Sequence, residues 1–274
     1  MTQILTQTFA YRAPTTRAEL LDLLAGHRSV RLLAGGTDLL VDIRNGFAHP
    51  EMLVNLKHVQ GLADITWSPT DGLSIGAATT INDIIRSTDV RDHYGLLGSC
   101  ARDLASYQIR NRATVVGNVV NASPCSDMAP GLLCLQAKAV IASQRGEREV
   151  PFKEFFTGVK RTVLQPDEVL ERIVIPAENA GARGAYRKLK RIKGHDLGIV
   201  GVALLKHNGA VRLGISSSAP TPLLVEGLSE DDPVEVLAEA TRNAIHPISD
   251  VRCSAEYRAF MAETFTRRLD EEVS

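Results

Sequence analysis

Gly35 and Gly36, followed by Thr37 and Asp38, are the first residues whose types and spacing suit chemistry. They sit inside Leu32 to Leu40, which reads LLAGGTDLL: an apolar lead-in, two glycines, then a Thr-Asp pair able to open a short helix. Paired glycines reach backbone angles that a Cβ resists and leave their amides bare. Successive amides in such a turn make a concave donor site suited to phosphate oxygens. An ordinary strand-to-helix turn uses the same residues, so the stretch by itself leaves both meanings open. Neither Gly-x-Gly-x-x-Gly nor a P-loop lysine is present, which excludes those two phosphate motifs.

A second stretch, Ile109 to Leu133, reads IRNRATVVGNVVNASPCSDMAPGLL. Its interior is small and polar, with Gly117, Asn118, Asn121, Ala122, Ser123, Ser126 and Asp127. Read as a loop, it gains little from burial, so its amides face something polar. A long surface loop leading to a helix after Pro130 is the plainer alternative. The four cysteines, Cys100, Cys125, Cys134 and Cys253, show no C-x-x-C and no histidine at ligand spacing. They read as reduced core or interface thiols of a cytoplasmic protein, with no zinc or iron–sulfur site in this chain.

The elements that must hold these stretches follow from periodicity and capping. Residues 3–9 alternate weakly, as an edge strand would. Thr16-x-x-Glu19 is a capping box ahead of Leu20, Leu21, Leu23 and Leu24, which predicts a helix to about Gly26. Val30 to Leu33 predicts a short buried strand, Leu39 to Arg44 a helical turn or two ended by Asn45-Gly46, and Met52 to Leu56 a further strand. Leu73 to Ala77 is strand-like. Thr80-x-x-Asp83 is a second capping box, with Ile81, Ile84 and Ile85 on one face. Leu96 to Tyr107 predicts one helix. Lys138 to Ser143 and Glu149 to Phe152 form a hairpin around Arg145-Gly146, and Asp167 to Ile175 a strand ended by Pro176.

The small, polar segment Glu178 to Gly184 is the candidate domain boundary. A basic strand follows, with Arg183, Arg187, Lys188, Lys190, Arg191 and Lys193. Such a run is a solvated face, or it meets cofactor phosphates, a partner subunit or nucleic acid. Leu197 to Leu205 is apolar throughout and fits a buried helix or a core strand. Ala210 to Ser218 is strand-like after a His207-Asn208-Gly209 turn, and Val234 to Ala244 is helical. Tyr257, Met261, Phe265 and Leu269 recur at four-residue spacing, predicting an amphipathic C-terminal helix.

Composition bounds the function. The 274 residues are enough for two domains. A net charge of −1 gives no whole-molecule field for nucleic acid or anionic membrane. Hydrophobic residues at 44% and charged residues at 23% describe a soluble folded protein. No signal peptide and no membrane-spanning run is evident.

LLAGGTDLLVDIRNG together with RNRATVVGNVVNASPCSDMAP, in this order, resembles the FAD-binding medium subunit of the molybdenum hydroxylases. That family includes carbon monoxide dehydrogenase, xanthine dehydrogenase and 4-hydroxybenzoyl-CoA reductase. AYRKLKRIKGHDLGIVGVAL resembles the start of the family's C-terminal domain, and SDVRCSAEYR its C-terminal signature. The resemblance implies an α+β fold: an FAD-binding fold of two α/β subdomains, of the vanillyl-alcohol-oxidase or PCMH-like kind, at about 1–57 and 58–177. A smaller C-terminal domain with antiparallel sheet and helices follows at 178–274. It also favours a helix for Leu197 to Leu205 and gives weight to cofactor and partner roles for the basic strand. RNA binding loses weight because the chain as a whole is not basic and the strand lacks interleaved aromatics.

Carried over residue by residue, the resemblance implies that Leu32, Leu33, Ala34, Gly35, Gly36, Thr37, Asp38 and Leu39 wrap the FAD pyrophosphate and ribose. Thr114, Val116, Gly117 and Asn118 form a second backbone clamp; Thr80, a helix cap by its capping box, is also counted among the cofactor-binding residues. Asp127 bonds the adenosine ribose or its neighbourhood. Leu104 and Leu170 pack on the cofactor, and Lys188 lies near the flavin. Where the family often has Thr-Ile-Gly-Gly-Asn, this chain has Thr114-Val115-Val116-Gly117-Asn118, so the Val116 side chain is expected to shift or weaken the clamp. No cysteine-rich insertion of the 4-hydroxybenzoyl-CoA reductase kind is visible.

The implied role is electron transfer. A small subunit carries two [2Fe-2S] clusters and a large subunit the molybdopterin cofactor, assembled as a dimer of heterotrimers. FAD here passes electrons to an external acceptor, with no nucleic acid and no membrane span. A stand-alone FAD-dependent NADH oxidase and a non-redox nucleotide-binding assembly protein are the alternatives.

Overall fold

The computed structural model describes residues 8–274. The strand expected at 3–9 lies largely outside the described residues, and the first strand seen is β1 (Ala10–Arg12). The Thr16 capping box forms as its residue types dictate: the Thr16 hydroxyl accepts from the Glu19 amide, and the Glu19 carboxylate answers the Thr16 amide. It opens α1 (Arg17–Gly26), whose Leu20, Leu21 and Leu24 are buried. Then come β2 (Val30–Leu33), α2 (Leu39–Arg44) and β3 (Met52–Asn55), giving a parallel sheet in the order β1-β3-β2. β2 is an edge strand and only half-buried, less covered than its apolar letters suggest. The Gly35-Gly36 turn leaves its end.

The second sheet is antiparallel and runs β4-β5-β10-β6-β7. Its strands are β4 (Ile65–Ser68), β5 (Gly72–Gly76), β6 (Lys138–Ser143), β7 (Gly146–Pro151) and β10 (Val169–Ile175). Between β5 and β6 lie six short helices: α3 (Ile81–Arg86), α4 (Thr88–His93), α5 (Gly95–Asp103), α6 (Tyr107–Arg110), α7 (Val115–Val120) and α8 (Met128–Cys134). After β7, α9 (Phe152–Phe155) leads into a small ladder of β8 (Phe156–Gly158) and β9 (Arg161–Thr162).

Two expectations for this region are corrected. The single helix over Leu96 to Tyr107 is broken, because α5 ends at Asp103 and Ala105 takes φ 44°. The Arg110 guanidinium holds the break by donating to the carbonyls of Leu104 and Ala105 at 2.8 and 3.0 Å. The supposed loop after Ile109 is largely helical, as α7 and α8. Thr114 caps α7 by accepting from the Gly117 amide at 2.9 Å. Pro130 lies inside the first turn of α8 and not before it, a position where its missing N–H has no intrahelical partner to lose.

The third sheet, β11 (Arg183–Leu189), β12 (Val200–His207), β13 (Ala210–Ser216) and β14 (Leu223–Ser229), is antiparallel in sequence order. On one side it meets α5 and α8; on the other lie α10 (Val234–Ala244) and α11 (Ala255–Val273). This sandwich explains why Leu197 to Leu205 reads ambiguously and why the helix favoured by resemblance is not what forms. β12 is covered on both faces: Val200, Val202 and Leu204 pack toward the C-terminal helices, Ala203 and Leu205 into the main core. A doubly covered strand loses its polar alternation and looks like a buried helix in sequence. Gly214 of β13 lets the sheet approach α8, since a Cβ there would lie 2.2 Å from the Pro130 carbonyl oxygen. The α11 stripe is also shifted: Phe265 and Leu269 are buried, but Tyr257 is exposed and the inward face carries Arg258, Ala262, Thr266 and Val273.

Candidate functional site

The two glycine-bearing stretches meet. Gly35 rests against the backbone of Arg112 and Ala113, so closely that a Cβ on it would lie 2.2 Å from the Arg112 oxygen. Gly36 turns with φ 75°, the left-handed region where a side chain is disfavoured. From there Asp38 and Leu39 enter α2, whose first bond is Leu40 N to Gly36 O at 3.1 Å. Leu32 and Ala34 pack partly into the main core. Leu33 lies beside Gly36.

The second stretch is stitched to the start of α3. Thr80 and Thr114 form an isolated antiparallel bridge, and the Ile81 amide donates to Ala113 O at 2.9 Å. Thr80 is the N-cap of α3, completing the expected capping box with Asp83, so its hydroxyl is already engaged. Val116 is 4% exposed and belongs to the main core, with Leu104 and Leu170 in the same cluster. The Asn118 side-chain oxygen accepts from Ser126 Oγ at 2.6 Å and from the Met128 amide at 3.3 Å, locking α7 to the start of α8. Gly117 sits over its own cap, where a Cβ would crowd Thr114 Oγ1 at 2.8 Å.

Asp127 and Lys188 come together in the interior. Lys188 Nζ donates to Asp127 Oδ2 at 2.8 Å, and Tyr186 Oη donates to Asp127 Oδ1 at 3.0 Å. Burial raises the Asp127 carboxyl above its ordinary value, with Lys188 and then Tyr186 opposing. Burial and the Asp127 charge push the Tyr186 phenol well up. Tyr186 was invisible as a site residue in the sequence, where nothing marks it within a basic strand. Its hydroxyl fits because position 201 is glycine; a Cβ there would meet Tyr186 Oη at 2.3 Å.

The basic strand is not a free cationic face. Arg183 pairs with Glu230, Arg187 with Glu272, Lys190 with Asp103 and Arg191 with Asp196, besides Lys188 with Asp127. The C-terminal signature is a clamp of the same kind. Asp250 accepts from Arg252 at 2.6 Å and faces Arg258 at 3.1 Å, while Arg258 donates to Ser217 O at 2.7 Å. Arg252 also reaches Gly198 O and Cys125 Sγ, which ties the C-terminal segment to the second stretch. Cys100 and Cys134 are buried thiols pushed up by burial, and all four cysteines are free. A groove of about 860 Å³ lies elsewhere, lined by Trp67, Asp71, Lys138, Glu149 and Arg172 among others, and includes none of the candidate residues. Among the described residues no helix is long and apolar enough to cross a membrane, and no cluster of His, Cys, Asp and Glu suits a metal.

Residues 7–178 match the family model for the FAD binding domain in molybdopterin dehydrogenase. The chain belongs to this family. It is 32% identical to the carbon monoxide dehydrogenase medium chain of Hydrogenophaga pseudoflava over 95% of each chain. It is 31% identical to the xanthine dehydrogenase FAD-binding subunit of Escherichia coli O157:H7, over 96% of this chain and 95% of that one. In structure it is similar to the carbon monoxide dehydrogenase of Hydrogenophaga pseudoflava that lacks the Mo-pyranopterin moiety, with TM-score 0.90, 31% identity and 98% of both chains covered. The α+β FAD-binding fold and the medium-subunit assignment expected from the motifs therefore hold.

Gly35 and Gly36 are half-buried, and a Cβ on either would strike the protein itself, the Arg112 backbone at Gly35 and the Leu33 and Leu40 side chains at Gly36. The turn is therefore tight enough for its chain to approach a ligand with backbone alone. Thr37 and Asp38, beside it, have side chains not spent on capping α2.

Proposed function

We propose that this chain is the FAD-carrying electron-transfer subunit of a three-part molybdenum hydroxylase. The observation that carries the reading is the direct contact of the Gly35 turn with Arg112 and Ala113, which brings the two motif stretches to one place. In this reading Leu32 to Leu39 and Thr114 to Asn118 hold the pyrophosphate and ribose, largely through backbone amides. Thr80 and Val116 position the second clamp, while Leu104 and Leu170 exclude water beside the cofactor. Lys188, oriented by Asp127 and Tyr186, supplies a fixed positive charge in a desolvated setting. FAD, when bound, supplies the one- and two-electron chemistry that lets electrons from a partner's [2Fe-2S] clusters reach an external acceptor.

The partners in this reading are a small [2Fe-2S] subunit and a large molybdopterin subunit, in a cytoplasmic dimer of heterotrimers. The chain divides at 1–177 and 178–274, with FAD on the first part. The test is the visible absorption of the chain expressed alone, with extraction and identification of the chromophore. Flavin bands and released FAD support the reading. A colourless protein that stays colourless after incubation with FAD removes it as a self-sufficient FAD binder.

A further inference from the structure

Of the cations to which the sequence draws attention, Arg183, Arg187, Lys188, Lys190 and Arg191 on and just after β11 have acidic partners. Two others, which it does not single out, have none among the described residues, and both touch the glycine turn. Lys57 follows β3 in a short 3-10 turn, and its Nζ donates to the carbonyl of Ala34 at 3.0 Å. Arg112 provides the backbone on which Gly35 rests. Asp38, the carboxylate next to the glycines in sequence, makes no ion pair with either. The turn therefore has the Lys57 ammonium at its edge and the Arg112 backbone packed against it.

The two charges also act on each other. Burial first, and the Arg112 guanidinium second, lower the Lys57 ammonium below its ordinary value. Both side chains are exposed, so their repulsion is modest, and an anion held between them relieves it. On the reading of this chain as an FAD binder, the anion at this turn is a diphosphate with two ionised oxygens.

We infer that Lys57 and Arg112 are the charge-neutralising pair for the cofactor diphosphate, acting beside the Ala34 to Thr37 amides. Lys57 thus has two tasks: it holds the turn through Ala34 and presents its charge to the phosphates. Arg112 links the turn to the second clamp, whose Thr114 lies two residues on. Backbone amides orient the phosphates, and the two side chains supply the charge that makes binding depend on ionic strength.

The test uses the purified chain stripped of flavin, with FAD affinity read by fluorescence quenching across a series of KCl concentrations. Lys57→Gln and Arg112→Gln are each expected to weaken FAD binding about three- to tenfold, the range for exposed charge-assisted contacts. The double variant is expected to lose most of the salt dependence, and inorganic pyrophosphate to compete less well against it than against the wild type. Lys57→Arg and Arg112→Lys should restore affinity and salt slope, which a purely structural role would not require. Unchanged affinity and slope in the double variant, with an unchanged melting temperature, overturn the inference. Variants weakened at every salt concentration alike also overturn it, since they would merely hold the turn. A wild-type chain that takes up no FAD removes the functional reading and this inference together.

Discussion

Lys188 Nζ lies 2.8 Å from Asp127 Oδ2, with the two side chains 2% and 9% exposed. The pair joins β11 of the C-terminal sheet to the start of α8. It forms one unit with Tyr186 and with the Asp103 carbonyl, which Lys188 reaches at 3.4 Å. Two motifs distant in sequence are thereby fastened to each other through the interior.

Breaking this pair from one side should cost more than removing it whole. Lys188→Met leaves the Asp127 carboxyl buried with only Tyr186 as partner, an expected loss of about 3 kcal/mol. The double variant Lys188→Met, Asp127→Asn should regain a large part of it. Urea unfolding of the three proteins checks this; equal losses in the single and double variants would contradict it.

Asp127 should also set a slope of stability with pH. Burial holds its carboxyl above the ordinary value in the folded state. Between about pH 4 and the folded value, the native chain keeps a proton that the unfolded chain has released. Stability attributable to this group falls as pH rises through that window. Unfolding free energies from pH 4 upward should show the slope in the wild type and lose it in Asp127→Asn.

Asp250 should behave in the opposite way. The Arg252 guanidinium first, with Arg258 adding, holds the Asp250 carboxyl well below the carboxylate range. Its contribution is present above the unfolded value near pH 4 and is lost as pH falls toward the folded one. Asp250→Asn should be less stable than wild type at neutral pH, and the gap should narrow as the solution is acidified from about pH 5 to 2. A gap constant across that range would show that the clamp works by packing alone.

Three glycines can be ranked by what an added methyl would meet. Gly214→Ala drives a Cβ to 2.2 Å from Pro130 O and should lower stability by roughly 1–3 kcal/mol or prevent the third sheet from seating. Gly35→Ala meets Arg112 O at the same 2.2 Å, but at the motif contact, and should lose FAD affinity while the fold persists. Gly26→Ala meets nothing within 4 Å and should be neutral. Melting temperature and FAD titration together separate the three outcomes.

Val116 belongs to the core and not to open space. Val116→Gly is therefore expected to cost roughly 2–4 kcal/mol of stability, from the cavity and the loosened first turn of α7. FAD affinity should not improve. A clear gain in affinity would show that the Val116 side chain limits the approach of the phosphates.

Local rules made much of the chain legible. The Thr16 and Thr80 capping boxes, the 138–152 hairpin and the α10 limits depend on residues a few positions apart, so their physics is contained in the sequence. Paired glycines before Thr-Asp, and the small residues after Thr114, marked the two stretches that the fold brings together.

What stayed hidden depends on partners far along the chain. Within Leu197 to Leu205, the part from Val200 on is a strand because both its faces are covered, and coverage is a property of the assembled layers. The basic run on β11 is neutralised by carboxylates from several other elements, so its letters alone overstated it. Tyr186 matters because Gly201 leaves room for its hydroxyl, and Lys57 because it bonds the glycine turn at Ala34 without an acidic partner among the described residues. Sequence by itself determined the capped helices, the hairpin, the motif types and the family, since these rest on short-range capping, periodicity and residue identity. Only the tertiary structure decided which charges are cancelled and which remain, because electrostatic balance is set by distance and burial in space, not by order along the chain.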